Sequence, residues 1–137
     1  MSKKKKERYM LDTNALLGIV EGNRFTKKMA NQIERFDGFI GVSIEALKEV
    51  VTLVSVKDYK LKCGTIENVL GILETQNIHV LLFGLPELAV LKKLPVYRNN
   101  LDPTDRAIVA HAIAQHATLI SSDAKFSQYK DLDLWSF

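Results

Sequence analysis

Cysteine is nearly absent: Cys63 stands alone among 137 residues. No intrachain disulfide can form, which fits a reducing cytoplasm. Long hydrophobic runs are absent too, so no segment of the sequence reads as a bilayer span. Histidine is scarce. His79, His111 and His116 form no metal-ligand motif, and the last two, five apart and off one helical face, read as surface or helix-end residues. There is no G-x-x-x-x-G-K loop and no G-x-G-x-x-G, which removes the glycine-loop nucleotide binders. Internal repeats and Pro/Gly/Ser-rich linkers are missing as well. What remains is ordinary for one globular domain: 47% hydrophobic and 26% charged residues.

Positive charge is missing from the body of the chain. The formal net charge is +3, yet "MSKKKKER" (1–8) holds five bases and one acid, contributing +4. The remaining 129 residues sum to −1. Residues 1–8 therefore read as a basic tail and 9–137 as the domain. A run such as Lys3–Lys6 can touch RNA or acidic surfaces, although a solvated, disordered terminus is the plainer reading. The lysines followed by "YMLDTNALLGIV" imitate an export signal. Asp12 and Asn14 interrupt its apolar stretch, so the expectation is a chain that is not exported.

Short apolar runs alternate with helical patterns. Strands are expected at 8–12, within 36–43, at 78–83, at 117–122 and at 132–137. The run "IHVLLF" (78–83) reads as a strand buried on both faces. Helices are expected at 13–21, 25–36, 43–56, 65–76, 85–94 and 103–116. This alternation predicts an α/β fold, a parallel sheet between helices. In such sheets ligands bind beyond the carboxyl ends of the strands.

Acids fall at that edge. Asp12 directly follows the first strand, and Asp123 directly follows the fourth. Asp102 and Asp105 open the helix that leads back into the fourth strand. Glu49 lies six residues past Ser43, about 9 Å down the next helix. Each acid has a plain alternative. Asp102 is a good N-cap with Pro103 at N1, and Asp105 then falls at N3, where an acid favours the helix terminus. Asp12 fits a cap, Asp123 a turn, and Glu49 a surface acid with Glu45 as its rival. Asp105, however, shares a face with Ile108, Val109 and Ala112, and a carboxylate at the end of a buried stripe calls for a cation. Asp102 can remain a cap. Several carboxylates in one cleft repel unless a cation is present, and an all-oxygen set suits Mg²⁺ or Mn²⁺. Arg106 fits either a phosphate contact or a salt bridge, and Trp135 a core or sheet-edge aromatic. Lys27, Lys28, Lys92, Lys93 and Arg98 are too scattered to define an RNA path.

Three segments together resemble a known family. "YMLDTNALL" resembles the first strand and Asp-Thr-Asn turn of PIN-domain nucleases, and "VSIEALKEVV" their S-x-x-x-x-x-E segment. "LDPTDRAIVAHAIAQHATLISSDAKF" resembles their D-P-x-D-R-x-x-x-A-x-A helix followed by L-[IV]-[ST]-x-D. The pattern is most like the VapC-type toxin ribonucleases of toxin–antitoxin pairs. It implies a sheet of order 3-2-1-4-5. It assigns the catalytic and metal-holding acids to Asp12, Glu49, Asp105 and Asp123, with Asn14 and Ser121 beside them as supporting or phosphate contacts. It further implies metal-dependent hydrolysis of RNA to 5′-phosphate and 3′-hydroxyl ends, a homodimer, and silencing by an antitoxin. Three other readings stay open, one of them the same nuclease chemistry serving RNA processing outside a toxin system. A phosphotransfer enzyme with a nucleophilic Asp12 would want an acid where Asn14 stands. A PIN-like module that binds RNA or protein without cutting would keep the fold alone.

Overall fold

In the computed structural model the described residues are 7–35 and 38–137. The Lys3–Lys6 run and the first two positions of the expected 36–43 segment lie outside them. Among the described residues the chain forms five strands and six helices. In order these are β1 (Arg8–Leu11), α1 (Thr13–Val20), α2 (Arg24–Arg35), β2 (Phe39–Ser43), α3 (Ile44–Ser55), α4 (Ile66–Thr75), β3 (His79–Leu81), α5 (Leu85–Lys93), α6 (Pro103–Ala114), β4 (Thr118–Ser121) and β5 (Asp133–Ser136). A 3₁₀ turn over Ala124–Gln128 joins the last two strands.

The sheet is parallel throughout, in the order β3-β2-β1-β4-β5. β1 sits at its centre, and the inner ends of the three middle strands are apolar and buried: Met10, Leu11, Val42, Leu119 and Ile120. Helices supply the rest of the core, through Leu16 and Ile19 of α1, Leu47 and Val50 of α3, and Ile108 and Val109 of α6. Each large apolar side chain so buried contributes roughly 1.5–3 kcal/mol. No helix among the described residues is long and apolar enough to cross a membrane.

Register matters most for function. Leu11 aligns with Val42 on one side and Ile120 on the other. One residue further along each strand, Ser43, Asp12 and Ser121 therefore emerge side by side at the carboxyl edge. All three are buried.

The expectation for 78–83 is corrected. β3 has only three residues and lies at the sheet edge, paired with β2 alone. His79 and Val80 are exposed, and Leu82 is 75% exposed. The following helix, α5, packs chiefly on α6 and leaves the face of β3 uncovered. A continuous apolar run identifies a strand, but its depth in the sheet depends on where the next helix docks.

Candidate active site

Asp12 begins the site because it has two tasks. As N-cap of α1, its Oδ1 accepts the Ala15 amide at 2.8 Å. Its Oδ2 accepts the Ser121 hydroxyl at 2.5 Å. Ser121 Oγ accepts the Asp123 amide in turn, at 3.0 Å. One serine at the end of β4 thus links two acids from distant parts of the chain. Asp123 then caps the 3₁₀ turn, its Oδ1 accepting the Lys125 amide at 3.0 Å.

The neighbour of Asp12 makes the second link. The Thr13 hydroxyl donates to Glu49 Oε2 at 3.0 Å, holding α3 against the start of α1. The rival acid Glu45 instead pairs with Lys48 at 3.1 Å. On α6, Asp102 is the expected cap: its Oδ1 accepts the Asp105 amide at 2.9 Å. Asp105 is half-buried, and its carboxylate accepts no hydrogen bond among the described residues. Asn14 is exposed on the first turn of α1.

These acids feel one another. Burial pushes the Asp12 carboxyl above the ordinary aspartate range; its bonds from Ser121 and Ala15 oppose that, and repulsion from Asp123 and Glu49 adds to it. Asp105 is pushed up to about 6, first by burial, then by Asp102, Glu49 and Asp123, with Lys125 pulling the other way. Glu49 and Asp123 thus act on both Asp12 and Asp105, and the four come from different segments of the chain. The charge and the oxygen donors suit a hard divalent cation. The side chains nevertheless do not converge: no three His, Cys, Asp or Glu residues among the described ones form a metal-holding group. Asp12, Glu49 and Asp123 are each turned toward a partner of their own, and Asp105 alone has none.

Two sequence readings change here, and one residue is added. His111 is fully buried, not at the surface. Its Nδ1 lies 2.8 Å from Ser43 Oγ, which also accepts the Glu45 amide as the cap of α3. Its Nε2 lies 3.8 Å from Glu87 Oε1, too far for a hydrogen bond. The ring of Phe83 meets it edge-on at 5.6 Å. Burial lowers the His111 pKa, against the pull of Glu87 and Glu45. The signal was present: "AIVAHAIA" is apolar on every side, and such a helix belongs in a core. Arg106 makes no ion pair among the described residues; it donates to the Pro95 and Leu94 carbonyls at 2.8 and 3.4 Å, fastening the α5–α6 loop. Thr13, which sequence reasoning left aside, positions Glu49. Trp135 is as expected, half-buried on the edge strand β5 with its ring 5.7 Å from that of Tyr9.

A family model of the PIN domain matches residues 9–132. The chain belongs to the PIN domain family. PIN domains are in general nucleases that use divalent metals. Among solved structures, VapBC2 from Rickettsia felis bound to a DNA fragment from its promoter is similar with a TM-score of 0.72 and 20% identity, covering 95% of this chain and 98% of that one. DNA-bound VapBC from Salmonella typhimurium gives a TM-score of 0.67 and 16% identity over 95% and 98%. A toxin–antitoxin complex from Klebsiella pneumoniae gives 0.57 and 17% over 94% and 99%. Identities this low establish the shared PIN fold. No curated protein matches the chain significantly by sequence.

Proposed function

We propose that this PIN domain is a Mg²⁺- or Mn²⁺-dependent endoribonuclease, the toxin of a toxin–antitoxin pair. The observation that carries this reading is that Glu49 and Asp123 repel both Asp12 and Asp105 at one edge of the sheet, with Asp105 raised to about 6. Those four carboxylates are the residues that would hold the ion. When bound, it would neutralise phosphate oxygens and activate water for in-line displacement.

The chain's own part is orientation. Ser121 aims one oxygen of Asp12 and, through its contact with the Asp123 amide, ties the end of β4 to it. Thr13 holds Glu49. Asp102 secures the first turn of α6 and so the placement of Asp105. Asn14, exposed beside the edge, is free to meet a phosphate. No serine, cysteine or histidine nucleophile is required. The test is digestion of RNA by purified protein with Mg²⁺, Mn²⁺ or EDTA, wild type against Asp12→Asn, with end mapping. Metal-dependent 5′-phosphate and 3′-hydroxyl ends are expected, and lost in the variant.

Partners are part of the proposal. Leu82, Leu85, Leu88, Val96 and Leu101, all in the stretch between β3 and the start of α6, are at least half exposed. Such a patch favours association, with a second copy or with an antitoxin. A second reading, a PIN module that binds without cutting, is favoured by the lack of a three-acid ligand group among the described residues. EDTA-insensitive RNA binding without cleavage would select it.

A further inference from the structure

Glu87, His111 and Ser43 form a buried line of polar groups from α5 through α6 to the start of α3. Ser43 ends β2 and caps α3, its Oγ accepting the Glu45 amide at 3.0 Å. His111 Nδ1 lies 2.8 Å from the same oxygen. Its Nε2 has no hydrogen-bond partner and faces Glu87 Oε1 at 3.8 Å. That carboxylate favours the ring proton on Nε2, which leaves Nδ1 to accept the Ser43 hydroxyl. Of the residues of α5, the buried one is this acid, while Leu85 and Leu88 are exposed. Stability alone would reverse that arrangement, because a buried acid and an unpaired ring nitrogen carry a desolvation cost that apolar side chains do not.

α3 packs against α6. Glu49 lies six residues beyond Ser43 on α3, and Asp105 six residues before His111 on α6, each about 9 Å along its helix. Glu49 acts on Asp105 as a like charge. The Ser43–His111 bond therefore joins two helices whose acids repel each other. We propose that His111 is a positioning residue: by holding Ser43 it fixes α3 against α6, and so sets the spacing at which Glu49 and Asp105 take a divalent cation. An apolar side chain of similar size would fill the same space and leave that spacing free, since apolar packing is not directional and a hydrogen bond is. Glu87 serves by selecting the tautomer. The role rests on the reading of the acids as a metal site.

The experiment is calorimetric titration of the purified protein with Mn²⁺, well below the melting temperature of every variant, with Asp12→Asn marking binding at the acid edge. His111→Leu keeps the apolar bulk and loses the bond; its dissociation constant is expected to rise about tenfold, the low end of the loss when a ligand's supporting partner is removed. His111→Asn carries its amide oxygen as many bonds from Cα as Nδ1, can accept the Ser43 hydroxyl again, and should stay within about threefold of wild type. A histidine that only packed would be replaced better by leucine than by asparagine, the opposite order. Ser43→Ala breaks the same bond from the other side. Added to His111→Leu it should raise the constant little further, and it stands in for His111→Leu if that variant does not fold. In RNA cleavage the loss should appear as a higher Mn²⁺ requirement that disappears at saturating Mn²⁺, with KM for RNA unchanged. Wild-type affinity in His111→Leu, affinity as weak in His111→Asn as in His111→Leu, or no Asp12-dependent binding by wild type overturns the proposal. If Mn²⁺ binding depends on Asp12 and His111 in this way but RNA is not cut, the nuclease reading fails and the positioning role stands.

Discussion

The two edges of one sheet are chemical opposites. At the carboxyl edge, Asp12, Ser43 and Ser121 are buried and hydrogen-bonded, and acids gather around them. At the amino edge, the groups are planar and half-buried or exposed: the guanidinium of Arg8 and the rings of Phe39 and His79. The helices explain the sorting. Every strand that leads into a helix meets its N-terminus at the carboxyl edge, where free amides donate to side-chain oxygens and the dipole favours negative charge. Asp12 with Ala15, Ser43 with Glu45 and Asp123 with Lys125 are three instances of one rule. Helix C-termini arrive at the other edge, where carbonyls favour bases; Arg35 closes α2 and His116 follows α6. A parallel β/α fold thus separates charge by sign before any function is asked of it. Capping alone, however, does not require Asp105, whose carboxylate has no such partner.

Substitutions can break that distinction. The largest effect is expected for Asp12→Asn, which keeps the cap and removes the charge. RNA cleavage should fall by more than about 100-fold, beyond the loss typical when only a supporting residue is changed. Circular dichroism should show the fold intact. Cleavage near the wild-type rate in a folded variant would reduce Asp12 to a cap. Next comes Ser121→Ala. It leaves one oxygen of a buried Asp12 without its donor, at a cost of about 1–3 kcal/mol by urea unfolding. A urea midpoint equal to that of wild type would mean the Asp12–Ser121 link stabilises nothing.

Proton linkage gives a third, smaller effect. Asp105, and Asp12 in the same direction, hold protons more tightly folded than unfolded. Their contribution to stability is present below the ordinary aspartate value of 3.8 and is lost as pH rises through about 6 for Asp105. Mg²⁺ should therefore raise the melting temperature at pH 7.5 and leave it unchanged at pH 4. Asp105→Asn should flatten the metal-free profile between those values. A Mg²⁺ effect of equal size at both pH values would argue against a carboxylate site. His111 acts in the opposite sense. Its lowered pKa makes the neutral ring a source of stability above its ordinary value of 6.5, lost as pH falls. His111→Asn should weaken the fold at pH 7.5 while removing that part of the acid-side loss, read by thermal melts at both pH values.

The smallest stability effect belongs to the apolar patch. Leu85 is 79% exposed, so Leu85→Glu should change monomer stability by less than about 0.5 kcal/mol. Sedimentation should nonetheless show weaker self-association, if a second copy covers this face. An unchanged sedimentation profile in an associating wild type would move the interface elsewhere.

Much of the carboxyl edge was legible in the chain. Asp12, Asp102 and Asp123 stand where an apolar run stops and a helix or turn begins, and the structure finds all three as caps. The helix limits expected at 43–56 and 65–76 differ by one residue at each end from Ile44–Ser55 and Ile66–Thr75. For His111 the spacing to His116 misleads, because the all-round apolar character of its helix decides its burial. β3 was misplaced in depth because its cover depends on α5, whose docking on α6 no local pattern states.

The sequence by itself determined the alternation of strands and helices, and with it the gathering of acids at the strand ends, since apolar runs and capping residues act over a few positions. Only the tertiary structure decided which neighbours those acids meet. Ser121 reaching Asp12, Thr13 reaching Glu49 and His111 reaching Ser43 join residues 109, 36 and 68 positions apart. Such contacts depend on register and helix docking, which fix distances that composition and periodicity leave free.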